Sequence, residues 1–136
     1  MFDFAALTNE KFIYYFNNNT VFSIEDSEMK DFLCVMSSIS ESVQFPTSPM
    51  EIARAIFEKA SLSGNFTENI VSVVHSDKID ALNSVEVFTL LWFSSCRNIF
   101  IYTDVNYLIS AENGTIGRLL IRLKETEADL YQNGSH

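Results

Sequence analysis

The run Glu86-VFTLLWFSSCRNIFIY-Thr103 is the most apolar in the chain, and its reading decides the fold. It can be a membrane span, the buried spine of a domain, or an exposed surface for a partner. A span needs about 20 predominantly apolar residues in a row. Glu86, Ser94, Ser95, Arg97 and Asn98 interrupt this one, and its clean part, Val87 to Phe93, is far too short. Ile79, Leu82, Val85, Phe88 and Trp92 share one helical stripe, while Val87, Leu90, Leu91 and Phe93 cover most of the remaining circumference. A helix that is apolar all round and does not cross a membrane lies at the centre of a globular domain. The segment from Ser76 to Arg97 is therefore expected to be a core helix, surrounded by the others.

Working outward from it, the surrounding helices follow from spacing and capping. Met29, Phe32, Leu33, Met36, Ile39 and Val43 recur every three to four residues and predict an amphipathic helix, with Glu28, Asp31, Ser38 and Glu41 on its other face. Phe45-Pro46 ends that helix, because the residue before a proline avoids the α region. In Ser48-Pro49-Met50-Glu51, the serine can cap, the proline suits the first helical position, and Glu51 can reach back to the cap N–H. The helix that follows buries Ile52, Ala53, Ile56, Phe57 and Ala60, and Gly64 is placed to stop it in the left-handed conformation. Asn65-Phe66-Thr67-Glu68 repeats the cap and starts a shorter helix through Ile70, Val71, Val73 and Val74 to His75, completing an αα-hairpin.

Toward the N-terminus, Phe4, Leu7, Phe12 and Tyr15 fall at nearly helical spacing before a turn at Asn17-Asn18-Asn19, and residues 20–24 suit a short strand or extended arm. Residues 99–110 are compatible with one short β-hairpin, or equally with the end of one helix and the start of another. Thr115 opens a last helix, with Ile116, Leu119, Leu120, Leu123 and Leu130 inward and Arg118, Arg122, Lys124, Glu125, Glu127 and Asp129 outward. The 136 residues, with no linker and no repeat, suit one domain, 1–136. Asn133-Gly-Ser-His136 has the look of an expression-tag remnant. With only four Gly and two Pro, helices with short connections fit better than many strands. The expected fold is all-α or nearly so: a single helical bundle around a central apolar helix.

Charge narrows the partners. The chain holds 18 Asp plus Glu against 9 Lys plus Arg, for a net charge of −9. The basic stripe of a nucleic-acid binder is absent, and an anionic membrane surface would repel the chain. The acidic start of the sequence does not resemble a secretory signal, which points to the cytoplasm and to Cys34 and Cys96 as buried thiols rather than a disulfide. The sequence offers little for catalysis. Apart from His136 of the terminal tail there is one histidine, His75, expected at a helix end where a cation favours the dipole. Two distant cysteines and one histidine make no zinc set, and Gly114-Thr-Ile-Gly117 lacks the spacing and the lysine of a phosphate loop. A non-enzyme without metal or cofactor is expected.

The acid gathers at Glu25, Asp26, Glu28 and Asp31 and again at Asp77 and Asp80; Tyr102 and Tyr107 are residues of a type enriched at interfaces. These eight are the candidate partner-binding residues. Part of the first cluster also suits a helix start, where acid favours the dipole. In overall character, small, acidic, helix-rich and without catalytic motifs, the chain resembles the bacterial immunity proteins, particularly those of contact-dependent growth inhibition systems. The resemblance implies a cytoplasmic protein that binds and neutralises a basic toxin domain, often an RNase or DNase. An alternative is a viral or phage helical-bundle protein that blocks a host factor by binding a peptide or mimicking nucleic acid. A third reading is a small-ligand sensor with a pocket between helices.

Overall fold

The computed structural model describes residues 4–18, 25–97 and 114–134. In chain order these form α1 (Glu10–Asn17), α2 (Ser27–Ser42), α3 (Pro49–Lys59), α4 (Phe66–Val74), a 3-10 turn (Asp77–Ala81), α5 (Ser84–Trp92), a π-helical turn (Phe93–Arg97) and α6 (Thr115–Gly134). Among the described residues there is no strand, and the fold is the expected all-α bundle. The hairpin-or-helix alternative at 99–110 and the arm at 20–24 lie outside the described residues.

Side-chain caps set most of the helix starts. Asn9 accepts the Phe12 N–H, Ser48 the Glu51 N–H and Asn65 the Glu68 N–H, each satisfying a donor that the first turn leaves open. Ser48 and Glu51 form half of the expected box: Glu51 does not return the bond to the cap. The complete box lies elsewhere. The Asn83 side chain accepts the Glu86 N–H and the Glu86 carboxylate accepts the Asn83 N–H, both at 2.9 Å.

That box corrects the central helix. The apolar stripe from Ile79 to Trp92 is not one helix: residues 77–81 form a 3-10 turn, Leu82 is extended at φ −83°, ψ 139°, and α5 starts afresh after Asn83. At its other end α5 runs into the π-helical turn, where the buried Ser95 hydroxyl donates to the Leu91 carbonyl at 2.7 Å.

The prediction of centrality holds. Val87, Phe88, Leu90 and Leu91 are fully buried, and α5 packs against α6 and α3. Phe88 stacks on Phe4 at 5.2 Å, with Phe45 6.2 Å away. Trp92, placed on the inward stripe by its spacing, is only half-buried and meets Phe93 edge-on. α6 runs along α1 as well, with Gly117 set against the Asn17 side chain.

The end of α3 differs from expectation too. The Leu62 N–H reaches the Phe57 carbonyl and the Ser61 N–H the Glu58 carbonyl, the paired bonds of a Schellman close. The left-handed residue in it is Ser61, at φ 57°, and not Gly64. Gly64 instead lies against the first turn of α4, where its carbonyl accepts from the Asn69 amide at 3.0 Å.

Candidate acidic interaction surface

The first acidic cluster faces α1. The Lys11 ammonium contacts the Asp31 carboxylate at 3.1 Å, and the Tyr15 hydroxyl donates to Asp26 at 2.6 Å. The early residue of α1 meets the late residue of the cluster, and the reverse, so α1 and α2 run antiparallel. Between them Phe32 takes the edges of Phe12 and Phe16 at 5.4 and 4.7 Å. Asp26 occupies the cap position of α2 but makes no side-chain cap bond there. Burial, the hydrogen bond to Asp26 and the charges of Asp26 and Glu28 all hold the Tyr15 hydroxyl well above the usual tyrosine range.

Two of the four clustered acids therefore help to dock α1 onto α2. The Lys11–Asp31 pair is exposed on both sides and adds little by itself, about 0–1 kcal/mol. The Tyr15–Asp26 bond is short and charge-assisted, and such bonds are the stronger kind. Glu25 is exposed and Glu28 half-buried, with the Ser27 hydroxyl 3.2 Å from its carboxylate.

The second cluster sits on the 3-10 turn. With three residues per turn, Asp77 and Asp80 share one edge of it, and both are exposed. The turn is anchored from behind by Arg122 of α6, which donates to the Asp80 and Leu82 carbonyls, each at 2.9 Å. Its guanidinium lies 3.7 Å from Glu125, and its side chain is only 16% exposed. The sequence places Arg122 on the outward face, whereas its side chain is largely buried. Its position three residues after Leu119, at the margin of the inward stripe, was the signal that it lies close to the core. Tyr102 and Tyr107 lie outside the described residues.

His75 ends α4, and its Nε2 shares a hydrogen bond with the buried Thr115 hydroxyl at 3.3 Å. The residue is exposed as a whole, but that ring edge lies in the crease between α4 and α6. Burial of the edge and the nearby Arg118 charge lower its pKa. The neutral ring is favoured, contrary to the dipole-stabilised cation the sequence suggested. Cys34 is exposed, not buried: it falls about 200° round α2 from the buried Phe32. The Cys96 side chain lies outside the described residues. Among the described residues no group of three or more potential metal ligands is assembled, and no helix is long and apolar enough to cross a membrane.

No known family, curated protein or solved structure matches the chain.

Proposed function

We propose that this chain is a non-catalytic protein of the immunity type, as in contact-dependent growth inhibition, that acts in the cytoplasm. It neutralises a basic toxin domain, an RNase or DNase, by covering the toxin's nucleic-acid cleft with acid. The observation that carries this reading is the charge: −9 overall, with Glu25, Asp31, Asp77 and Asp80 all exposed. A surface of that sign raises the encounter rate with a cationic cleft and can exclude a polyanionic substrate without doing chemistry. Asp26 and, more weakly, Asp31 are engaged with α1, whereas the side chains of Asp77 and Asp80 make no hydrogen bond or ion pair among the described residues.

The test is co-expression with the product of the neighbouring gene, followed by association kinetics. Wild type is expected to protect, with an association rate that falls steeply as salt rises. Reversing Glu25, Asp77 and Asp80 to lysine, with Asp26 and Asp31 left in place, is expected to slow association about tenfold or more at low salt while helicity is retained. Protection that neither salt nor this reversal weakens would sink the electrostatic interface. Absence of protection would favour the host-factor alternative.

A further inference from the structure

Away from α2, a cavity of about 260 Å³ opens between α3, α4, the 3-10 turn and α5. Its inner wall is apolar: Ile56, Val73 and Leu82, all buried in the core, present their edges to it. The small side chain of Ala55 leaves it open toward solvent. Two exposed lysines stand at the mouth, Lys59 from the last turn of α3 and Lys78 from the 3-10 turn. Neither ammonium group is held in an ion pair among the described residues. The geometry of the 3-10 turn produces this locally: its three-residue period puts Lys78 and Ala81 on the cavity side and Asp77 and Asp80 on the next edge. Glu86 also reaches the cavity, but one of its carboxylate oxygens is committed to the Asn83 N–H. In a chain of net charge −9 the mouth of this cavity carries two cations against one tethered anion.

We propose that the cavity binds a medium-chain aliphatic carboxylate, with its tail against Ile56, Val73 and Leu82 and its head between Lys59 and Lys78. Ligand pockets of this kind are mostly apolar, with a few polar groups that fix orientation. At about 30 Å³ for each water-sized group, the volume holds about nine heavy atoms, a chain of about eight carbons with part of the carboxylate outside. No residue of α2 lines this site, but Lys78 and Ala81 belong to the 3-10 turn that carries Asp77 and Asp80, so it adjoins the second acidic cluster.

Calorimetric titration of the full chain with straight-chain carboxylates from butanoate to dodecanoate, below micellar concentrations, tests the proposal. Affinity is expected to rise about fourfold with each methylene and to level off once the chain exceeds about eight carbons. 1-Octanol is expected to bind about three- to tenfold more weakly than octanoate, the difference two exposed charge contacts supply. Ala55→Phe fills the cavity and should abolish binding. The double variant Lys59→Gln/Lys78→Gln, both changes at exposed positions, should bind octanoate and octanol equally well. Wild-type affinity that keeps climbing through dodecanoate, or that is equal for octanol and octanoate, would overturn the proposal. So would octanoate binding that survives either variant unchanged.

Discussion

Ser61 carries a conformation that its side chain resists. At φ 57° it sits in the left-handed region, where a Cβ crowds the following carbonyl at a cost of about 1–2 kcal/mol. The Schellman bonds from Leu62 and Ser61 hold it there. Glycine adopts this backbone without that clash, though it loses more chain entropy on folding. Ser61→Gly is therefore expected to stabilise the protein by about 0.5–1 kcal/mol, read as a higher urea midpoint at unchanged slope. A lower midpoint would show that the serine side chain contributes something its backbone does not reveal. His75 gives a second test at the same scale. Its folded pKa lies below the ordinary value of 6.5, so the unfolded chain takes up a proton in a range where the folded chain does not. The stability His75 contributes is present above that ordinary value and is lost as pH falls toward the lowered one. Between about pH 7.5 and about pH 5.5 the wild type should lose more stability than His75→Gln. Equal losses would mean that the crease beside Thr115 does not discriminate between the two forms of the ring.

Among the elements, α5 concentrates the packing, and its most consequential aromatic is Phe88. Phe88 is fully buried and stacks on Phe4, whereas Trp92 keeps part of its surface in water. Phe88→Ala is expected to cost about 3–5 kcal/mol and Trp92→Ala distinctly less, with native tryptophan emission between the buried and water-exposed limits. A larger loss from Trp92→Ala would reverse this ranking. The apolar composition of Val87 to Leu91 made the position of α5 legible in the sequence, because burial on all sides needs apolar residues on all sides. Its start was obscured because Ile79, Leu82 and Val85 keep helical spacing across a break, and spacing alone does not see backbone dihedrals. Asn83-Ser-Val-Glu86 carried the competing signal, an Asx cap with a glutamate at the third helical position. In the αα-hairpin the opposite happened: the start at Ser48 was plain, but Gly64 suggested a stop three residues beyond the one Ser61 makes. The acidic candidates were legible as residue types. Their division into acids that dock α1 and acids that face water was not, because it depends on the antiparallel approach of two helices that no local pattern encodes. The same holds for Arg122, whose acceptors are carbonyls of a turn some 40 residues away in sequence.

At the scale of the whole molecule, a net charge of −9 acts on folding and on association through one field. Bringing that charge into a compact volume is self-repulsive. Close pairs such as the exposed Lys11–Asp31 contact and the longer Arg122–Glu125 contact offset part of it. Screening falls to a Debye length of about 10 Å at 0.1 M salt, so added sodium chloride should weaken the many distant repulsions more than these close pairs. The expected outcome is a Tm that rises with sodium chloride from about 0.01 M to about 0.5 M by a few degrees, equivalent to about 1 kcal/mol for a chain of this size. The triple reversal of Glu25, Asp77 and Asp80 changes the net charge by +6, from −9 to −3, and should flatten that dependence. The same variant is the one whose association with a cationic partner should lose its salt sensitivity. If wild-type Tm instead falls with salt, local attractions outweigh the global repulsion. The acid would then be balanced within the fold, leaving little field to draw a basic partner.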